Sequence, residues 1–235
     1  MEKIEYVAFD LDDTLISTRE IFRSQEAQVY RILALVLTGV ATEGEIKTNF
    51  EKTNDSAYQK YKVDPKRWNF VLDKMRYQYP QISSETKAEC KDLLMGIYKQ
   101  VPKLKDGAVE TLSELEGSGM VLGVVTHAFG EWTDFKLDKC GLRPYFGERV
   151  HVVDMNSSKG ASDWQRALNK FDFPISQCAV VGDSLLTDIN PAYEIGVKHL
   201  FWIDDGRGWK VHEAEKPEIA RRINGISELL VAMKG

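Results

Sequence analysis

The sequence has few of the residues that mark a secreted or thiolate-metal protein. Its 235 residues include only three cysteines, and Cys90, Cys140 and Cys178 are too widely spaced for a zinc site. An odd number of isolated cysteines also argues against a disulfide framework and favours a reducing compartment. The first residues are charged and lead straight into an apolar stretch, unlike a signal peptide. We therefore expect a cytoplasmic protein.

Positive charge and long apolar runs are also scarce. The net charge of −5 does not provide the basic surface that sequence-independent nucleic-acid binding needs, so no nucleic-acid partner is expected. The longest apolar run, residues 32–37, is far too short to span a bilayer, so no membrane partner is expected either. The hydrophobic content of 43% is ordinary for a globular protein with a sizeable core.

The stretch 6–15 combines a strand pattern with a cluster of carboxylates. Residues 5–9 predict a short buried strand, and Asp10, Asp12 and Asp13 follow it. In an open parallel α/β sheet, ligands bind at the carboxyl ends of the strands. Asp10 and Asp12 are too close for both to stay ionised comfortably without a cation or proton between them. Mg²⁺, which prefers oxygen ligands, suits such a pair; a capped, solvated turn is the alternative interpretation.

Residues 16–103 show helical periodicity and no strand pattern. Their apolar stripes predict four amphipathic helices that pack on one another as a small bundle. Because this bundle follows the first strand and precedes an α/β remainder, we interpret it as an insertion that overhangs the sheet as a lid. The predicted helices cover about 19–37, a segment opened by the capping-box pattern 42–45, a segment that starts at Asp64-Pro65, and a segment from about Ser83 or Ser84.

Beyond residue 103 strands and helices alternate. This alternation predicts right-handed crossovers and a mostly parallel sheet, although spacing alone does not give the order of its strands. The predicted fold class is α/β, with residues 1–15 and 104–235 as the catalytic core and residues 16–103 as the inserted helical domain. The further strands are predicted near 121–125, 149–153, 178–181 and 199–203, and a closing helix near 227–233.

Polar side chains follow several of these strands at the point where each strand ends. Thr126 follows the second strand, Lys159 the third, and Asp183 the fourth, with Asp188 five residues later. In one parallel sheet these side chains would meet Asp10 in a single crevice. Carboxylates could hold a divalent cation there, while a hydroxyl and an ammonium group could hold an anion. The combination is typical of phosphoryl transfer.

Taken in chain order, these motifs resemble those of the haloacid dehalogenase-like (HAD) hydrolase superfamily. The helical insertion after the first motif resembles the cap of phosphoglycolate phosphatase-like members, and the resemblance covers essentially the whole chain. It implies a Rossmann-like, mostly parallel core with an inserted four-helix cap domain. The residues that carry it are Asp10-Leu-Asp12-Asp-Thr14, Thr126, Lys159 and Gly182-Asp183-x4-Asp188.

The resemblance also implies a Mg²⁺-dependent phosphatase that hydrolyses a small phosphorylated metabolite. Asp10 would be the nucleophile and form an aspartyl-phosphate intermediate. Asp12 would protonate the leaving oxygen and then activate water. The Mg²⁺ ligands would be the carboxylates of Asp10 and Asp183 and the backbone carbonyl of Asp12, while Asp188 would hold a metal-bound water or orient the site.

The same resemblance implies a phosphate site formed by the Thr126 hydroxyl and the Lys159 ammonium group. His127 stands where many family members have asparagine. One interpretation has His127 donate a hydrogen bond to phosphate, which would make activity pH-sensitive in histidine's ordinary titration range. The other interpretation has it act as a spacer at the cap interface.

Several other functions remain open at this stage. A haloacid dehalogenase uses the same nucleophile, although such enzymes need no metal and do not carry the acid/base Asp12. A phosphomutase shares the phosphatase motifs, and a non-catalytic phosphate- or protein-binding module would have lost turnover. Either a monomer or a homodimer is expected. The basic candidates for substrate specificity in the insertion are Arg19, Arg23, Arg67 and Arg76.

Overall fold

Eight strands are present in the part of the chain that the computed structural model describes, residues 3–206 and 214–234. Six form one sheet, and two short ones pair antiparallel. The strands are β1 (Tyr6–Phe9), β2 (Ile16–Ser17), β3 (Lys103–Leu104), β4 (Val121–Thr126), β5 (Val150–Val152), β6 (Cys178–Gly182), β7 (His199–Ile203) and β8 (Arg221–Ile223).

The large sheet has the order β5-β4-β1-β6-β7-β8, and every neighbouring pair is parallel. The predicted mostly parallel α/β sheet is therefore confirmed, and β1 lies at its centre. All four residues of β1 are buried, as a strand covered by helices on both faces requires. Val7 and Phe9 pack into one hydrophobic cluster, while Tyr6 and Ala8 pack into another.

The register of the central strands determines which polar residues meet. Phe9 pairs with Val124 on one side and with Val181 on the other. Asp10, Thr126 and Asp183 each come one or two residues after this row of paired residues, so they lie at the same edge of the sheet. This shared register is the physical reason that three distant segments contribute to one edge.

Four helices lie between β2 and β3, as predicted. A capping box starts the second: the Thr42 N–H donates to Glu45, and the Glu45 N–H donates to the Thr42 hydroxyl. The third begins later than Asp64-Pro65, because the Asp64 carboxylate accepts from the Lys66 N–H at 2.8 Å and a turn precedes the helix. The four are α1 (Arg19–Val36), α2 (Glu43–Tyr61), α3 (Arg67–Gln78) and α4 (Ser84–Gly96).

These four helices share a hydrophobic cluster, which Trp132 of the core also joins. Trp68, Leu72 and Met75 of α3 are buried in it, as the apolar stripe predicts. Two valines that continue the helical spacing of these stripes, Val36 and Val101, are exposed: Val36 is the last residue of α1, and Val101 lies beyond the helical turns that follow α4.

Six further α-helices occur in the described residues, and a π-helical turn, Leu185–Ile189, precedes α9. In the described residues no helix is long and apolar enough to cross a membrane. The helices are α5 (Ala108–Gly117), α6 (Gly130–Lys139), α7 (Arg143–Phe146), α8 (Ala161–Lys170), α9 (Asn190–Glu194) and α10 (Leu229–Ala232).

Candidate active site

Three carboxylates converge at the carboxyl edge of the central strands. One oxygen from each of Asp10, Asp183 and Asp188 lies within 4.8 Å of the others. Asp10 follows β1, and its N–H donates to the carbonyl of Val181 in β6 at 2.9 Å. The structure thus brings together three of the predicted acidic residues, although 178 positions separate the first from the last.

The turn after β6 places the last of these carboxylates. The Ser184 N–H donates to Oδ2 of Asp188 at 3.0 Å, and the Ser184 hydroxyl accepts from the Thr187 N–H at 3.1 Å. Ser184 therefore serves the turn. A side chain at Gly182 would collide with the Asp188 carboxyl group, so only glycine allows this close approach.

Lys159 lies between two of the carboxylates. Its Nζ is 2.7 Å from Oδ1 of Asp10 and 2.7 Å from Oδ1 of Asp188, and the residue is only 2% exposed. The same ammonium group lies 4.8 Å from the centre of the Trp164 ring. A buried ammonium group is tolerated when it is paired in this way. Lys159 thus brings positive charge directly to the predicted nucleophile.

Burial controls the protonation of this cluster. It raises the pKa of Asp10 to about 7, and the Lys159 charge only partly opposes the shift. Burial, followed by the charge on Asp10, raises the pKa of Asp183 well above its ordinary value. For Lys159 burial acts in the opposite direction, but the charges of Asp10 and Asp188 outweigh it and raise its pKa. The crowded acids would be stabilised by a cation.

The donor set fits a hard divalent cation. Mg²⁺ takes oxygen ligands at roughly 2.0–2.1 Å in an octahedron, which requires carboxylate oxygens only a few ångströms apart. One oxygen from each of Asp10, Asp183 and Asp188 lies within 4.8 Å of the others, so the three carboxylates are near enough to turn toward a shared ion. Carboxylate and carbonyl donors favour Mg²⁺, Ca²⁺ or Mn²⁺ over thiophilic metals.

Thr126 and His127 lie at the end of β4. Thr126 is fully buried, and its hydroxyl has no hydrogen-bond partner among the described residues. Within the same residues the Nε2 atom of His127 is likewise buried and unpaired. Burial, followed by the Lys159 charge, lowers the pKa of His127 to about 4. Burial therefore favours a neutral imidazole near pH 7 and argues against titration in histidine's ordinary range.

Asp12 contacts a lysine that the sequence did not single out. Nζ of Lys136, in α6, donates to both carboxylate oxygens of Asp12 at 2.6 and 2.7 Å. The Asp12 side chain is 24% exposed, whereas that of Lys136 is fully buried. In the sequence, Trp132 stands one helical turn before Lys136, but this spacing does not indicate that the lysine contacts residue 12.

Arg19 makes the second contact that the sequence did not predict. It was a candidate for substrate specificity, but its Nη2 donates to Oδ2 of Asp183 at 3.1 Å. Its backbone N–H donates to Oδ1 of Asp13 at 3.0 Å. Asp13 has a φ of 63°, in the left-handed region that occurs in turns. The first residue of α1 is thereby tied to the acidic cluster.

Comparison with known proteins adds to this geometry. The family described as haloacid dehalogenase-like hydrolase matches residues 4–196. Among curated relatives, the glyceraldehyde 3-phosphate phosphatase of Pyrococcus furiosus is 26% identical over 220 residues, which cover 88% of this chain and 83% of the relative. At 26% identity this activity is stated of the relative and not of this chain.

Solved structures share the fold. A haloacid dehalogenase-like family hydrolase from Xanthomonas campestris superposes with a TM-score of 0.78 at 18% identity, over 98% of this chain and 91% of that one. A HAD hydrolase from Bacillus subtilis, solved with magnesium bound, has a TM-score of 0.70 at 16% identity and covers all of both chains. The family match, the strand order and the convergent motif residues agree: the chain belongs to the haloacid dehalogenase-like hydrolases.

Proposed function

We propose that the protein is a Mg²⁺-dependent phosphatase that hydrolyses a small phosphorylated metabolite. The observation that carries the proposal is the meeting of Asp10, Asp183 and Asp188 with the buried Lys159 at one edge of the sheet. Such a site holds a divalent cation and a phosphate side by side. The phosphatase named among the curated relatives supports the same reaction class.

In this proposal Asp10 is the nucleophile. Its carboxylate attacks phosphorus, so that an Asp10–phosphorus bond forms while the bond to the leaving oxygen breaks. Asp12 gives its proton to that oxygen and, in the second step, takes a proton from the water that cleaves the aspartyl phosphate. Lys159 pairs with Asp10 at 2.7 Å and reduces the repulsion between this carboxylate and the incoming phosphate.

The remaining residues hold the cation and the phosphate. The carboxylates of Asp10 and Asp183 and the backbone carbonyl of Asp12 would hold Mg²⁺, with Asp188 completing the acidic set. Bound Mg²⁺ supplies positive charge to the phosphoryl oxygens. The Thr126 hydroxyl, which has no partner in the described part of the chain, is available to donate to a phosphate oxygen.

His127 and Lys159 complete the proposed phosphate site. The ring of His127 already hydrogen-bonds to the backbone of Asp154 and Met155, and Nε2 is the ring nitrogen without a partner among the described residues. Because a neutral imidazole has only one N–H, His127 could donate from Nε2 to phosphate only in its protonated form.

We further propose that residues 16–103 act as a cap over this crevice. The loop between α2 and α3 already contacts the core, because the Val63 N–H donates to the Met155 carbonyl at 3.3 Å. Met155 precedes Lys159 by four positions. Substrate enclosed between cap and core would be shielded from bulk water. A cytoplasmic location and a monomeric or homodimeric state remain predictions from the sequence.

Hydrolysis of p-nitrophenyl phosphate, measured with Mg²⁺ and with EDTA, tests the proposed function. We expect turnover with Mg²⁺ and its loss with the chelator, followed by recovery when Mg²⁺ is restored. A panel of phosphorylated metabolites would then identify the substrate. Undiminished turnover in EDTA, or release of halide from a haloacid without phosphatase activity, would contradict the proposal.

A further inference from the structure

Lys136 is a fully buried cation, and the mechanism proposed above gives it no role. It lies in the interior of α6, where side chains on its face pack against the protein. Its ammonium group approaches Oδ1 and Oδ2 of Asp12 at 2.6 and 2.7 Å. Two hydrogen bonds from one donor group fix the rotation of the carboxylate as well as its position.

The two partners differ in their access to water. Lys136 is fully buried, whereas the Asp12 side chain is 24% exposed. Taking an ammonium group out of water costs several kcal/mol unless it is well paired, so a methionine of similar length would suit this helix position better if packing alone mattered. The lysine is therefore the immobile partner, and the carboxylate is the one that a substrate can reach.

A tryptophan fixes the lysine from the other side. Nζ of Lys136 lies 4.0 Å from the centre of the Trp132 ring, one helical turn earlier in α6. Trp132 belongs to the hydrophobic cluster of the insertion, where its ring lies 5.3 Å from that of Tyr98 and its Nε1–H donates to the Gln100 carbonyl at 3.2 Å. The position of Lys136 is thus tied to the packing of the insertion on the core.

We propose that Lys136 is a positioning residue that holds the Asp12 carboxyl group in line with the leaving oxygen of the substrate. This inference rests on the proposed function, in which Asp12 is the acid and base. As the bond from phosphorus to the leaving oxygen breaks, the proton moves from Asp12 to that oxygen. Lys136 transfers no proton. While Asp12 carries its proton on one oxygen, Lys136 donates to the other; once that proton has left, Lys136 donates to both oxygens of the carboxylate, which later accepts a proton from water.

The test compares two leaving groups. Nitrophenolate departs from p-nitrophenyl phosphate with little need for a proton, whereas an alkoxide departing from a simple alkyl phosphate needs one. The single-turnover rate of leaving-group release is measured for both substrates in Lys136→Met. We expect a loss of roughly 10- to 100-fold with the alkyl phosphate, a much smaller loss with p-nitrophenyl phosphate, and little change in KM.

Two controls separate positioning from a general effect on structure. Lys139→Met removes an exposed lysine from the same helix and should change neither rate. Lys136→Gln keeps an N–H donor and should recover part of the alkyl phosphate rate; it also replaces Lys136→Met if circular dichroism shows that the latter does not fold. Equal losses on both substrates, or no loss on either, would overturn the role of Lys136.

Asp12→Ala distinguishes failure of this inference from failure of the proposed function. We expect it to show the same dependence on leaving group, more strongly than Lys136→Met. If Asp12→Ala shows no such dependence, Asp12 is not the acid and the proposed mechanism fails. If Asp12→Ala shows it and both Lys136 variants do not, only the inference about Lys136 fails.

Discussion

The two buried lysines, Lys159 and Lys136, have similar partners but different surroundings. Each pairs with an aspartate and lies over a tryptophan ring, at 4.8 Å for Lys159 and 4.0 Å for Lys136. Lys159 separates two carboxylates that are themselves buried, Asp10 and Asp188. Lys136 holds one carboxylate that remains 24% exposed. Lys159 neutralises a closed cluster that consists of itself, Asp10 and Asp188. Lys136 orients one accessible group, the Asp12 carboxylate.

The nucleophile in the closed cluster gives the largest expected effect. Asp10→Asn should lower turnover of p-nitrophenyl phosphate by on the order of 10⁴-fold or more, because no covalent intermediate can form. The fold should persist, since Lys159 keeps Asp188 as a partner. Steady-state kinetics and circular dichroism measure the two outcomes. Normal turnover in this variant would show that Asp10 is not the nucleophile.

Removal of Lys159 should affect both activity and stability. Lys159→Met leaves two buried carboxylates without their shared cation, so we expect turnover to fall roughly 10²- to 10³-fold. The free energy of unfolding in urea should fall by about 3–5 kcal/mol without Mg²⁺. Added Mg²⁺ should restore part of the stability, because a cation again separates the acids. Unchanged stability would contradict the closed-cluster description.

Removal of Lys136 should cost less stability than removal of Lys159. In Lys136→Met, water can reach the Asp12 carboxylate that loses its partner, so we expect a decrease of about 1–2 kcal/mol in the free energy of unfolding. Urea unfolding of both variants under the same conditions makes the comparison direct. A larger decrease for Lys136→Met than for Lys159→Met would reverse the contrast between the two lysines.

Glu26, in the insertion, is another acid near a cation, and that cation offsets only part of the effect of burial on its pKa. Burial raises its pKa to about 7, and the charge of Arg67 opposes the shift while that of Glu51 adds to it. The folded state therefore binds this proton more tightly than the unfolded state does. The contribution of Glu26 to stability is present at low pH and is lost as pH rises from about 4.5 to about 7.

Glu26→Gln should remove this pH dependence of stability, and the expected change in stability is small. We expect the variant to gain thermal stability relative to the unaltered chain at about pH 8, and the difference to shrink at about pH 5. Thermal unfolding of both proteins at the two pH values measures the change. A stability difference that is the same at both values would show that Glu26 does not titrate as its burial indicates.

The sequence predicted the residues at the strand ends better than the contact between Lys136 and Asp12. Asp10, Thr126 and Asp183 follow strands that share a register, so strand ends alone were enough to place them together. Lys136 lies inside a helix, and a helical pattern shows which face is buried but not which distant residue it meets. The contact between Lys136 and Asp12 could therefore be found only from the packed structure.

Parts of the fold escaped prediction for similar reasons. The short strand β8 has two exposed arginines in three residues, too little apolar pattern to be recognised. The order of the strands depends on crossovers that spacing does not encode. Arg19 stands at the start of α1, where sequence suggested a substrate contact, whereas the guanidinium group binds Asp183 because the turn at Asp13 brings the helix start to the sheet edge.

The most direct test of the central claim is to trap the covalent intermediate. The protein is mixed with substrate and Mg²⁺, quenched in acid during turnover, digested and analysed by mass spectrometry. A phosphoryl group on the peptide that contains Asp10, absent in Asp10→Asn, is the predicted result. Turnover with no phosphoryl group at Asp10, or with one at another residue, would contradict the proposed mechanism.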